Sequence, residues 1–346
     1  MDTQQEITIR RPDDWHIHLR DGDVLKDVTP ITATHFGRAI VMPNLVPPIT
    51  TAKAASEYKA RIISACHERS FEPLMTAYLT GNTDADALIA AHKSGTLTAA
   101  KLYPAGATTN SSAGVSSVQK IYPLIEKMAD AAMPLLIHGE VVGEAYDIFD
   151  REKIFIDTIL MPMRKHFPHL RVVLEHITTI QGAQFVQSHK QNTGATITPH
   201  HLTINRSTMF KGGIRPHLYC LPIAKRREHQ LALREAATSG ENCYFLGTDS
   251  APHAEQAKLS ACGCAGVFNA QTALPCYAQV FDEEGALDKL EGFSSIHGPN
   301  FYGLPLNEET ITLRRGEEAL APPPPVGKEH IQHFLPDTPV YWRVLD

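Results

Sequence analysis

Short apolar runs alternate with longer amphipathic segments along most of the chain. Eight runs read as strands: Trp15–Leu19, Arg38–Met42, Pro73–Leu79, Thr98–Leu102, Pro134–His138, Arg171–His176, Ala195–Thr198 and Cys243–Thr248. Short, nearly continuous apolar runs are what strands buried on both faces of a parallel sheet require. Between them, apolar positions recur at helical spacing over Ala52–Glu68, Asp84–Ser94, Val115–Ala132, Arg151–Phe167, Thr179–Ser188, Lys225–Ser239 and Ala270–Glu284. Thr50-Thr51 and Thr83-Asp84 supply capping-type helix starts. Eight strands, most followed by a helix, predict an α/β fold, the (β/α)8 barrel. The rival doubly wound sheet usually carries a Gly-rich turn after its first strand, and this chain has none there. There is no internal repeat and no strong domain boundary. Residues 1–346 therefore read as one barrel domain, with residues 308–346 as a C-terminal extension packed on it. Pro322–Pro325 reads as an extended surface segment.

Composition narrows the partners more than the fold. The chain has 346 residues, 43% hydrophobic and 20% charged, with a net charge of −6. That supports a large core and offers no basic field for nucleic acid or an anionic membrane. Met1–Glu6 is polar with no apolar run behind it, and no stretch approaches the thickness of a bilayer. Six cysteines are scattered too widely for a disulfide framework. The expected compartment is the cytoplasm. Cys262-Gly263-Cys264 lacks a partner Cys-X-X-Cys and reads as a tight turn carrying reduced thiols.

The chemistry gathers where predicted strands end, which is where such barrels place it. The first run closes on His16-Ile17-His18-Leu19-Arg20. Side chains at i and i+2 of a strand face the same way, so His16 and His18 converge, with Arg20 one step further. A lone His-X-His is more often a satisfied pair than a metal site. Later strands change that balance. Asn44 follows the second, Lys101 lies on the fourth, His138 ends the fifth, His176 ends the sixth, and Asp249 and His253 follow the eighth. Each has a bland reading on its own: a core histidine, a helix cap, a turn residue, a lysine reaching to solvent. Titratable groups gathered at one mouth of one barrel mark an active site instead. Four histidines and an aspartate suit two divalent ions, provided something bridges them. An ammonium would repel dications. A desolvated lysine has a lowered pKa, and as a neutral amine Lys101 could take up CO2 to give an anionic, bidentate carbamate.

His16-Ile17-His18, Lys101, His138, His176 and Asp249, in that order on strands one, four, five, six and eight, resemble the amidohydrolase superfamily. Arg11-Pro12-Asp13-Asp14-Trp15-His16-Ile17-His18-Leu19-Arg20-Asp21-Gly22 resembles the opening of its shorter, monofunctional (class II) dihydroorotases. Val41-Met42-Pro43-Asn44, Lys101-Leu102-Tyr103-Pro104-Ala105, Thr108-Thr109-Asn110-Ser111 and Gly247-Thr248-Asp249-Ser250-Ala251-Pro252-His253 carry the same likeness, which extends to about Leu306. The His-Leu-Arg-Asp-Gly-Asp stretch departs from the Arg-X-Pro-Gly start of longer dihydroorotases and hydantoinases.

The resemblance implies a TIM barrel of the metal-dependent amidohydrolase type. It implies the reversible, zinc-dependent cyclisation of N-carbamoyl-L-aspartate to L-dihydroorotate in pyrimidine (UMP) biosynthesis. His16, His18 and Asp249 would hold the more buried zinc and His138 and His176 the second. Lys101, as N6-carboxylysine, would bridge the two Zn2+ of each subunit. Asp249 would carry the proton between water and the ring nitrogen. Arg20 would clamp the substrate carboxylate with Asn44 and His253, and backbone groups at Leu221 and Ala265 would meet the pyrimidine edge. The small, polar loop 105–112 suits a lid, with Thr108 and Thr109 donating on closure. The family expectation is a homodimer acting on a small molecule. Rival readings are a hydantoinase- or allantoinase-like cyclic-amide hydrolase, a mononuclear deaminase with no need of Lys101, and a non-catalytic barrel scaffold.

Overall fold

A short strand, β1 (Glu6–Arg10), leads into eight parallel strands that pair in sequence order in the computed structural model, which describes residues 5–67 and 69–345. They are β2 (Asp14–Ile17), β3 (Arg38–Val41), β4 (Glu72–Tyr78), β5 (Ala99–Leu102), β6 (Leu135–Ile137), β7 (Val172–Leu174), β8 (Thr193–Ile197) and β9 (Tyr244–Leu246). Every strand read from the sequence is present, within two residues at either end. Of the sequence readings, the first residues of the N-terminal segment and Glu68 lie outside the described residues. The ring closes between β9 and β2. Ile17 bridges Ser250, the Asp249 N–H donates to the His16 carbonyl (2.8 Å), and the His18 N–H donates to the Ser250 carbonyl (2.9 Å). Buried Asp14 reinforces this seam by accepting from the Thr248 N–H at 2.8 Å and from its hydroxyl. Desolvation pushes the Asp14 carboxyl up to about 7.

Alternation along the strands builds two apolar shells. Ile40, Leu74, Ala99, Leu136, Val173 and Phe245 pack with Trp15 in one cluster, inside the barrel. Their neighbours Ala39, Val41, Ala100, Leu135, Ile137, Val172 and Leu174 belong to the larger cluster between strands and helices. β2 breaks the rule usefully. Its partners shift from Asp14↔Ala39 to Ile17↔Val41, one extra residue on β2. Such a bulge lets consecutive residues turn inward, so Trp15 plugs the barrel while His16 faces the site. Trp15 stacks on Tyr302 at 4.5 Å between centroids. A Cβ on Gly298 would sit 1.9 Å from its Nε1. Gly298→Ala is therefore expected to destabilise the fold by about 1–3 kcal/mol, read as a lower urea midpoint. An unchanged midpoint would show the plug to be loosely packed.

Helices cover the barrel. Ala52–Ala65, Ala85–Lys93 and Ile180–Ser188 start on Thr51, Asp84 and Thr179, whose side chains accept from backbone N–H groups of the first turn. The helix expected over Val115–Ala132 instead divides into a 3-10 turn, Val118–Ile121, and a helix, Tyr122–Asp130. Arg151–Phe167 widens into a π-turn at Ile156–Leu160, just before Pro162, whose ring cannot fit a tight helical ladder. Gly22–His35 is a helix absent from the sequence reading. Pro30 stands inside it, yet burial of Leu25, Val28, Thr29, Thr32 and Ala33 outweighs the poor propensity. Beyond the barrel, β10 (Thr310–Arg315) pairs antiparallel with β1 and with β11 (Trp342–Val344) in a separate three-stranded sheet. Pro322–Pro325 forms neither helix nor strand. Among the described residues, no helix is long and apolar enough to cross a membrane.

Candidate metal centre and substrate cavity

β2 ends at Ile17, so His18 is placed by the seam hydrogen bond rather than by the strand pleat. The Nε2 atoms of His16 and His18 lie 3.3 Å apart, and the same Asp249 Oδ1 is 3.3 Å from the first and 3.1 Å from the second. The other ring nitrogens are engaged. His16 Nδ1 meets Glu175 Oε2 at 2.7 Å and His18 Nδ1 meets Asn44 Oδ1 at 2.8 Å. An acceptor at Nδ1 holds the imidazole proton there. Two Nε2 lone pairs and a carboxylate oxygen then face one another, an arrangement that only an intervening positive charge makes favourable. The electrostatics agree. Burial and the Lys101 charge push His16 down, but Glu175 and Asp249 outweigh them and raise it. Burial pushes His18 down to about 4. Burial opposes ionisation of Asp249, yet His16 and His18 hold its carboxyl well below the usual range. The donor set fits a divalent cation. Asp249 (φ 44°) and His176 (φ 40°) both sit in the left-handed region, a conformation that non-glycine residues adopt at a cost.

Lys101, on β5, is fully buried and its Nζ has no hydrogen-bond partner. Desolvation pushes its pKa down to about 8. His138 Nε2 donates to Glu140 Oε2 at 2.8 Å, which leaves Nδ1 for other work. His176 Nδ1 is buried without a partner, and burial holds this ring well below its usual pKa. The His176 ring centroid is 4.8 Å from that of His138 and 4.9 Å from that of His16. An orphaned amine beside imidazole nitrogens left free is what a metal pair with a lysine-borne bridge would use.

Arg20, Asn44, Thr108, Thr109, Leu221 and Ala265 line the same cavity as the four histidines and Asp249, about 20 Å3 in volume. Arg20 arrives by a left-handed backbone turn (φ 57°) rather than by strand alternation. Its Nε donates to the Pro252 carbonyl (3.1 Å) and its Nη2 to His253 Nε2 (3.0 Å). Burial and the neighbouring Arg20 charge push His253 down to about 3, so this histidine is neutral and Arg20 supplies the cation. His253 Nε2 is also 2.9 Å from the Ala265 carbonyl and can serve one of the two at a time.

The loop 105–112 is shut. Asn44 Nδ2 donates to the Thr109 carbonyl (3.0 Å), Asn110 Nδ2 to the Asn44 carbonyl (3.1 Å), and the Thr109 hydroxyl to the Ala265 carbonyl (3.4 Å). A cavity this small has room for little more than water, and Thr108 and Thr109 of this loop line it. Replacing Thr108 and Thr109 together by Ala is expected to lower kcat about tenfold with bound metal unchanged. Wild-type kinetics in that variant would remove the lid role.

Glu175 and Glu140, which orient His16 and His138, had no role in the sequence reading. Their signal was a carboxylate in an otherwise apolar strand end, beside or two residues from a histidine. Asn44 is tied to His18 and to the lid at once, which no spacing rule reveals. A second grouping, His200, His201 and Cys220, gathers within 4.8 Å. There His201 uses Nδ1 on Thr198 Oγ1 (2.8 Å) and Nε2 on the Pro222 carbonyl (2.9 Å), and the Cys220 thiol lies 3.4 Å from that carbonyl. His201 and Cys220 are thus engaged in holding the chain, and His200 Nε2 is buried without a partner. Cys262 and Cys264 are free thiols, and the turn they flank delivers Ala265 and Gly266 to the cavity.

The chain belongs to the amidohydrolase family, whose profile matches residues 13–312. Within that family it stands among the dihydroorotases, and it is an enzyme of the cyclic amidohydrolase kind. The dihydroorotase of Chelativorans sp. is 56% identical over 343 residues, covering 98% of this chain and 99% of that protein. The crystal structure of Campylobacter jejuni dihydroorotase superposes with a TM-score of 0.88 at 34% identity, covering 100% of this chain and 99% of that one. Saccharomyces cerevisiae dihydroorotase in complex with 5-fluoroorotic acid gives 0.89 at 32% identity, covering 99% and 98%.

Proposed function

We propose that this chain interconverts N-carbamoyl-L-aspartate and L-dihydroorotate at the cavity, with two zinc ions held by His16, His18, Asp249, His138, His176 and carboxylated Lys101. The observation that carries this reading is the convergence of two Nε2 lone pairs and Asp249 Oδ1 in the cavity that half-buried Arg20 also lines. When bound, the metal pair supplies an acidified water and a polarised carbonyl at neutral pH. The chain's own residues do the rest. Arg20 takes the free carboxylate of the substrate through its guanidinium, with neutral His253 and Asn44 beside it. Backbone groups at Leu221 and Ala265 set the ring. In ring opening, water oxygen bonds to the amide carbon and the carbon–nitrogen bond breaks. Asp249, ionised and buried, accepts the water proton and returns it to the departing nitrogen. Ring closure runs the same transfers backwards. Glu175, Glu140 and Asn44 hold the histidine rings so that this geometry survives turnover. The closed loop keeps bulk water out.

The deciding experiment follows the ultraviolet absorbance of L-dihydroorotate with zinc-supplied protein, alongside hydantoin and allantoin. Turnover of L-dihydroorotate alone is expected, because only that substrate offers Arg20 a carboxylate. Turnover of hydantoin or allantoin without L-dihydroorotate would replace the reading with that of another cyclic-amide hydrolase. Failure to hold near-stoichiometric metal, without any turnover, would favour a scaffold. The family likeness further supports a cytoplasmic homodimer, which sedimentation of the purified protein would test.

A further inference from the structure

We infer that Lys258 is the positioning residue that sets the substrate-facing backbone of the cavity, an inference that rests on the reading of this cavity as the dihydroorotate site. Lys258 ends the short helix Glu255–Lys258 and is only 4% exposed. In the sequence it looks like one more lysine on a solvated polar turn. In the fold its Nζ donates to three carbonyls: Tyr219 at 2.7 Å, Cys264 at 2.9 Å and Gly266 at 2.7 Å. An ammonium has three protons, and all three are used.

Two of these carbonyls flank Ala265. The Ala265 carbonyl between them does not face the lysine. With Cys264 and Gly266 held on the lysine, the Ala265 carbonyl faces the cavity side instead. There it meets His253 Nε2 at 2.9 Å and the lid hydroxyl of Thr109 at 3.4 Å. The third carbonyl, Tyr219, also accepts from the Gly266 N–H at 3.0 Å, and the chain runs from it directly to Leu221. One ammonium thus joins the two segments that bring Leu221 and Ala265 to the cavity. It does so from outside the metal cluster and without lining the cavity itself. Methionine would take the side-chain donor from all three carbonyls and leave Tyr219 with the Gly266 N–H alone. Arginine keeps the charge but spreads its donors over a planar fork, which cannot meet three carbonyls at one apex.

The test uses the full-length, metal-loaded protein with Lys258→Met and Lys258→Arg. Metal content, steady-state kinetics with L-dihydroorotate and calorimetric binding of 5-fluoroorotic acid are measured for each. In Lys258→Met, KM and the 5-fluoroorotic acid Kd are expected to rise about tenfold or more while kcat falls by less and metal content holds. Lys258→Arg is expected to recover part of the affinity. Hydrogen exchange should quicken at 219–221 and 264–266 and stay slow in the barrel strands. A folded, metal-loaded Met variant whose Kd stays within about twofold of wild type would overturn the inference, as would a loss of kcat with KM and Kd unmoved. If the Met variant does not fold, Lys258→Arg decides, because unchanged Kd and unchanged exchange at those two segments would equally overturn it. Wild-type protein that neither turns over L-dihydroorotate nor binds 5-fluoroorotic acid would overturn the functional reading itself, and the inference with it.

Discussion

Asp249→Asn is expected to lower kcat for L-dihydroorotate by about 10^3-fold or more, which general acid–base catalysis and a lost anionic ligand together supply. The side chain keeps its shape, so the seam between β9 and β2 should hold. Its backbone N–H still donates to the His16 carbonyl, and thermal stability should stay close to wild type. What changes is the oxygen that both His16 and His18 face at 3.3 and 3.1 Å. An amide cannot take a proton from water, and it brings no negative charge to the centre. The measurement is a kcat ratio at matched metal occupancy, with zinc counted by mass spectrometry. Activity within about tenfold of wild type at full occupancy would move the proton-carrying role to another group.

Lys101→Met should separate stability from function. Lys101 Nζ is buried without a hydrogen bond, and desolvation lowers its pKa from 10.5 to about 8. A folded-state value below the unfolded one means that folding opposes protonation. The penalty is full below about pH 8, shrinks as pH rises from the folded toward the unfolded value, and vanishes above it. Methionine removes it without opening a large cavity. Metal-free Lys101→Met is therefore expected to be more stable than metal-free wild type at pH 7, by an amount on the order of 1 kcal/mol. The gain should fade toward pH 10. Activity should fall by about 10^3-fold, since no bridging anion can form, and bound zinc should drop below two per subunit. A lower melting temperature at pH 7, or wild-type zinc content, would show that Lys101 contributes through contacts rather than through its amine.

Much of this site was legible because strand ends announce themselves. His16, His138, His176 and Lys101 lie at or beside the ends of short apolar runs, and parallel strands deliver such ends to one mouth. What stayed hidden depends on contacts between distant segments. The roles of Glu175 and Asn44 depend on which imidazole nitrogen each reaches. Arg20 arrives through a left-handed turn, a torsion that no residue pattern around it specifies. The Gly22–His35 helix was obscured by Pro30, because propensity weighs a residue locally while burial weighs it against the barrel. Lys258 was hidden for the same reason in reverse: its surroundings in the chain are polar, and its surroundings in space are three carbonyls.

The seam where the barrel closes has a consequence for how the protein is made. Two of the three clustered donors come from the first barrel strand and its edge, and the third follows the last. A ribosome therefore exposes His16 and His18 early, while Asp249 emerges only when nearly the whole barrel has been translated. No nascent or truncated product lacking the final strand has a complete centre, so metal capture and fold completion coincide. Incomplete chains then compete poorly for a divalent metal, and the finished ring becomes harder to reopen once loaded.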